Sequence, residues 1–234
     1  MEISQEILNK FIVREDYLEW VNKETSIIVY LDLTNMFHWQ DVLGWKFRIE
    51  DVIGQLFSFR NIKEVKVYYG LNGRDINNSE AFHNRIKKSG AILKTKPMKF
   101  IQKNINQGMF FQRRTLTLFD DGVKGKINEL INELNKSEII IEEPKCNFDV
   151  EMAMDMLDDA DKVTAVILFS GDSDMREPLE RLKVKGKNIG IVGVRGKVAN
   201  ELHVIKNKYL DFGKFYTGKR VYIKSENPAF GGTA

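Results

Sequence analysis

Residues 163–174 read VTAVILFSGDSD. The first seven form a nearly continuous apolar run, the pattern of a strand covered on both faces in a parallel sheet. The run ends in Ser170-Gly171-Asp172-Ser173-Asp174, which sets two carboxylates where the strand leaves the sheet. A second run of the same character, residues 26–31 (SIIVYL), ends in Asp32. Residues 65–69 (VKVYY) and 189–194 (IGIVGV) read as further strands, and residues 91–96 (AILKTK) as a shorter one. Helical spacing of apolar residues falls at 50–59, 79–89, 126–136, 148–161, 175–185 and 197–205. Strands alternating with helices predict an α/β fold, a doubly wound and mainly parallel sheet flanked by helices. In such sheets ligands bind outside the carboxyl ends of the strands, where Asp32, Asp172 and Asp174 fall.

The chain has 234 residues, 43% hydrophobic and 29% charged, enough for one sizeable core and too apolar for wholesale disorder. No apolar run approaches the roughly 18 residues that span a bilayer. The opening MEISQEILNKFIVRED lacks the pattern of a signal peptide, which predicts a cytoplasmic protein without membrane association. One cysteine and three scattered histidines exclude a disulfide framework and a cysteine-rich zinc site. The organisation predicted is an N-terminal helical extension over 1–25, a main domain over 26–212 and a C-terminal extension and tail over 213–234. Residues 3–21 read as an amphipathic helix, which can also serve as a contact between copies of the chain. Residues 100–125 show no clear period and read as a basic loop, part of a basic insertion near 100–136.

Charge is arranged in blocks. Residues 85–126 carry eleven Lys/Arg against two acids, residues 137–161 nine acids against one lysine, and residues 181–224 twelve bases against two acids. Each block alone reads as a solvated face. Together, an acidic centre between basic surfaces is what a metal site on a polyanion-binding protein requires.

The carboxylates sharpen this. Asp172 and Asp174, two apart in a turn, can share a cation, while Asp174 with Glu177 can equally form a helix capping box. On a helix over 148–161, Met152, Ala153, Met156, Leu157 and Ala160 form one stripe. At about 100° per residue Asp149 falls inside that stripe, so its charge points at the core, which is costly unless paired or metal-bound. Asp155 lies at the margin of the stripe, whereas Asp158, Asp159 and Asp161 fall mostly outside it and read as surface charges. Carboxylates without histidine or thiolate suit Mg²⁺ or Mn²⁺. Asn35, three residues after Asp32, reads either as a hydrogen-bonding partner of the site or as a turn residue.

IVYLDLTN at 28–35, KCNFDV at 145–150 with Asp155, and SGDSD at 170–174 resemble the three acidic motifs of NYN domains, which are PIN-like nucleases, and the chain is most similar to their LabA-like bacterial branch. The resemblance takes in VYYG at 67–70 and KTKPMK at 94–99 and covers roughly residues 26–212. It departs at Met175, where phenylalanine is frequent, at Ala199, where serine is common, and in a longer stretch between Lys99 and Lys145. It implies a PIN-like fold and a metal-dependent nuclease acting most often on RNA. Asp32, Asp149, Asp172 and Asp174 would hold the metal, with Asn35 and Asp155 in support and Lys145 beside the scissile phosphate.

Lys94, Lys96, Lys99, Arg113 and Arg114 are the candidate phosphate contacts, with Phe100, Phe110 and Phe111 interleaved to stack on unpaired bases or to fill the core. The turn at Arg195–Lys197 falls near the same edge. The leading expectation is an endoribonuclease using Mg²⁺ or Mn²⁺. Its rivals are a binding module that keeps the fold but does not cut, a DNA-directed nuclease, and a small-molecule phosphatase, against which the extended basic blocks count.

Overall fold

The computed structural model describes residues 15–104, 120–136 and 140–223. Its strands are β1 (Ile27–Asp32), β2 (Trp45–Lys46), β3 (Ile62–Tyr68), β4 (Ile92–Lys94), β5 (Lys99–Asn104), β6 (Ile140–Lys145), β7 (Ala165–Phe169), β8 (Asn188–Gly193), β9 (Lys208–Asp211) and β10 (Val221–Tyr222). Helical residues 15–23 precede β1. The helices that follow are α1 (Leu33–Leu43), α2 (Ile49–Phe57), α3 (Ile76–Lys88), α4 (Asp121–Lys136), α5 (Asp149–Asp158), α6 (Arg176–Val184), α7 (Asn200–Ile205) and α8 (Phe212–Phe215).

Six strands form one sheet in the order β4-β3-β1-β7-β8-β9, and every neighbouring pair is parallel. This is the doubly wound α/β sheet that the alternating strands and helices predict. The chain builds outward from β1 in one direction through β3 and β4, then returns to the other side of β1 for β7, β8 and β9. The order therefore reverses between β1 and β7, the place where such sheets open a crevice at their carboxyl edge.

Alternation along β1 shows why the strand is apolar throughout. Ile27, Val29 and Leu31 join a core with Met36 and Trp39 of α1 and Val52, Ile53 and Leu56 of α2. Ile28 and Tyr30 are equally buried on the opposite face, where the Tyr30 hydroxyl reaches Asp159 just beyond α5. An aromatic group extends the first core. Phe212 packs on Trp39 at 5.3 Å and on Phe47 at 5.1 Å, and Trp45 stacks on Tyr216 at 5.4 Å. This packing, with the β2–β10 pair, fixes the chain beyond β9. Tyr17 and Val21 of the N-terminal helical residues are buried in the same core.

Contacts divide the chain into two compact units, residues 1–96 with 148–234, and residues 97–147. The second unit pairs β5 with β6 in antiparallel register, Lys99 opposite Lys145, and carries α4. This corrects the reading of residues 100–125 as a loop: the part up to Asn104 is strand, and α4 begins at Asp121. Residues 105–119, with Phe110, Phe111, Arg113 and Arg114, lie outside the described residues, as do residues 1–14 and the tail from 224. The sequence reading also missed α1, β6 and β9. No helix among the described residues is long and apolar enough to cross a membrane.

Candidate active site

The carboxyl ends of β1 and β7 are adjacent because the two strands pair in register, Leu31 opposite Phe169. The next residues are Asp32 and Ser170, and they touch: Ser170 Oγ donates to Asp32 Oδ2 at 3.1 Å. Asp32 is also the N-cap of α1, its Oδ1 accepting from Asn35 N–H at 3.1 Å. Burial raises the Asp32 carboxyl to about 6. The two hydrogen bonds oppose that rise, and the charges of Asp149 and Asp172 add to it.

Beyond Ser170 the chain turns in steps fixed by its own side chains. Ser170 Oγ accepts from Asp172 N–H at 3.2 Å, and Asp172 Oδ1 accepts from Asp174 N–H at 3.0 Å. Asp172 thus caps the 3₁₀ turn Ser173–Met175, which leads into α6. Asp174 does not cap α6 and the capping box with Glu177 does not form; Glu177 instead pairs with Arg181 at 2.9 Å. Asp149 enters from another segment as the first residue of α5. Carboxylate oxygens of Asp149, Asp172 and Asp174 all lie within 4.8 Å of one another, the first two half-buried and the third exposed.

Asn35 takes a tying role. Its Oδ1 accepts from Gly171 N–H at 3.2 Å and from Trp39 Nε1–H at 2.9 Å, so it joins α1 to the turn that carries Asp172. Asp155 lies on the flank of α5 and accepts from the Tyr68 hydroxyl at 2.6 Å, with Lys94 Nζ at 3.0 Å. Lys96 pairs with Glu151 and lies 4.7 Å above the Phe148 ring. Lys94 and Lys96, predicted as phosphate contacts, are therefore engaged by acids of α5. Lys99 and Lys145 belong to the unit over 97–147, where both are exposed.

One expectation is overturned. Asp159, read as a surface charge, is 2% exposed. It accepts from the Tyr30 hydroxyl at 2.8 Å, pairs with Lys162 at 2.9 Å and pairs with the buried Lys66. Burial alone would push its carboxyl up, but bonds from Lys66, Lys162 and Tyr30 outweigh that and hold it below the usual range. The missed signal was Lys66 itself: a lysine inside a buried strand such as VKVYY requires an acid to face it. Ser170 was the other omission; its part in holding Asp32 follows from the β1–β7 register.

The NYN domain family model matches residues 112–213, a segment that includes Asp149, Asp155, Asp172 and Asp174 and leaves Asp32 outside. The chain is 24% identical over 207 residues to Low amplitude and bright protein LabA of Synechococcus elongatus, covering 88% of this chain and 92% of that protein. A crystal structure of a protein of unknown function from Vibrio parahaemolyticus shares the fold at a TM-score of 0.56 and 17% identity, over 82% of this chain and 96% of that one. NYN domains are generally nucleases acting on nucleic acid. The three acidic motifs are brought to one sheet edge, and the NYN domain family model matches across two of them, so over residues 112–213 the chain is similar to NYN domains.

Proposed function

We propose that this chain is a cytoplasmic, metal-dependent endoribonuclease that hydrolyses RNA phosphodiester bonds at the cluster of Asp149, Asp172 and Asp174. The observation that carries the reading is the convergence of these carboxylates, from two separate segments, at the carboxyl edge where the sheet order reverses. The donor set fits a hard divalent cation: oxygen ligands only, from half-buried to exposed, with neither histidine nor thiolate in the group. Three charges this close also repel one another unless a cation lies among them.

In this reading Asp149, Asp172 and Asp174 would hold Mg²⁺ or Mn²⁺, with Asp32 as a fourth oxygen donor from the end of β1. The cation, when bound, supplies positive charge for the phosphoryl oxygens and acidifies a water for in-line attack. The remaining work falls to the chain. Ser170 and the Asn35 amide fix the Asp32 carboxylate, the Asp174 amide fixes Asp172, and the Asn35 side chain holds the Gly171 turn. Tyr68 and Lys94 fix Asp155 and so the rotation of α5, which delivers Asp149. RNA is favoured over DNA by the family's most frequent substrate, and the extended basic blocks suit a polymer better than a small phosphate.

The test is cleavage of end-labelled single-stranded RNA and matched DNA with Mn²⁺, Mg²⁺ or EDTA, beside the Asp172→Asn variant. Wild type should yield internal products from RNA only with metal, and the variant should lose a hundredfold or more, on the order of what metal-site changes cost. Products from DNA alone would move the substrate assignment. Equal products from the variant, or RNA bound without any cleavage, would sink the nuclease reading.

A further inference from the structure

The turn between β8 and α7, residues 194–199, is seated on the segment that carries Asp172. Gly171 lies beneath it so closely that a Cβ there would fall 1.8 Å from the Lys197 carbonyl oxygen and 3.1 Å from Val198 Cα. Gly193 also lies close under the turn, since a Cβ there would fall 2.2 Å from the Val198 Cγ2 methyl, which would have to shift. Hydrogen bonds fasten the turn on both sides. Gly171 O accepts from Ala199 N–H at 3.0 Å, Val194 O accepts from Lys197 N–H at 2.9 Å, and Asp211 Oδ2 accepts from Arg195 N–H at 3.2 Å.

The backbone of this turn is pinned while its two cations face outward. Arg195 and Lys197 are exposed, and neither side chain forms an ion pair among the described residues. Lys94 and Lys96 differ, since acids of α5 already hold them. A polyanion approaching three gathered carboxylates meets repulsion unless cations stand beside them. The turn packs directly on Gly171, between Ser170 and Asp172, and offers such cations, and its fixed backbone limits the ordering cost of using them.

We propose that Arg195 and Lys197 grip the phosphodiester backbone of a single-stranded polynucleotide beside the acidic cluster, and that Lys96 does not. The inference rests on the nuclease reading and supplies the substrate contacts of the same site. Arg195 offers a planar fork to one phosphate and Lys197 a point charge to the next, so the turn gives affinity and register without reading bases.

The experiment is fluorescence anisotropy of a short labelled single-stranded RNA, with Ca²⁺ in place of the catalytic metal, titrated between roughly 50 and 200 mM salt. Proteins compared are wild type, Arg195→Ala, Lys197→Ala, the double variant, Arg195→Lys and Lys96→Ala. Each alanine at 195 or 197 should weaken binding several-fold and reduce the slope of log affinity against log salt by about 0.7, the double variant by about 1.4. Arg195→Lys should keep most of the slope, and Lys96→Ala all of it. Thermal midpoints should stay together, because both side chains are exposed. An unchanged slope in the double variant, or a loss confined to Lys96→Ala, would overturn the assignment. Binding without cleavage would remove the nuclease reading and leave the slopes to decide the grip. No binding by wild type would end both.

Discussion

The two ends of α5 hold the same residue type in opposite circumstances. At the far end, Asp159 and Asp155 each meet a lysine and a tyrosine from the sheet: Lys66 with Tyr30, and Lys94 with Tyr68. At the near end, Asp149 meets two further carboxylates, Asp172 and Asp174. Strand register explains the first pattern. Tyr30 lies beside Lys66 and Tyr68 beside Lys94, so two Tyr–Lys pairs line up against acids four residues apart on the helix. Burial and hydrogen bonds make the far end structural. Like charges gather at the near end, and Asp32 beside them is raised to about 6 by burial, with the charges of Asp149 and Asp172 adding to the rise. The lesson is that a buried or half-buried carboxylate is read by what faces it: a facing lysine and tyrosine mark scaffold, and gathered carboxylates mark a candidate site.

Removing one partner at the far end should cost most. Asp159→Ala leaves Lys66 charged and buried, and should lower stability by about 3–5 kcal/mol in denaturant unfolding. A loss below 1 kcal/mol would break the contrast. Asp32→Asn should act in the other direction on metal-free protein. Because the folded carboxyl titrates near 6 rather than near the ordinary 3.8, the native state holds the proton that the unfolded chain has released. Stability should therefore fall as pH rises from about 4 to 6, by about 3 kcal/mol in total, and the variant should lack that decline. Parallel pH profiles for the two proteins would contradict this. Asp155→Asn, which weakens bonds to Tyr68 and Lys94 at a half-buried place, should cost about 1–3 kcal/mol and reduce cleavage by loosening α5. Glu151→Ala breaks an exposed pair with Lys96 and should change stability by no more than about 1 kcal/mol.

Legibility followed the same division. Strands β1, β7 and β8 are nearly unbroken apolar runs, so their place in a parallel sheet could be read directly. The acids that follow β1 and β7 came with them. Strands β5 and β6 could not be read, because KFIQKN and IIEEPK mix charge with apolar residues without strict alternation. Helix α1 was hidden because its N-cap is Asp32, already assigned to the site, and its buried Leu33, Met36 and Trp39 sit among polar residues. Asp159 was misread because helical angle says which flank a side chain occupies and nothing about what covers it; here β3 covers that flank with Lys66. Asn35 left two readings open in sequence, and three-dimensional proximity to Gly171 resolved its side chain into a tie between elements.

The most direct test of the central claim is Mn²⁺ binding, followed by calorimetry and by the metal's effect on thermal stability, in wild type, Asp172→Asn and Asp155→Asn. Wild type should bind Mn²⁺ and rise in melting temperature, Asp172→Asn should lose both responses, and Asp155→Asn should keep them from a lower starting stability. Mn²⁺ bound equally by Asp172→Asn and wild type would show that the near end of α5 is not the metal centre.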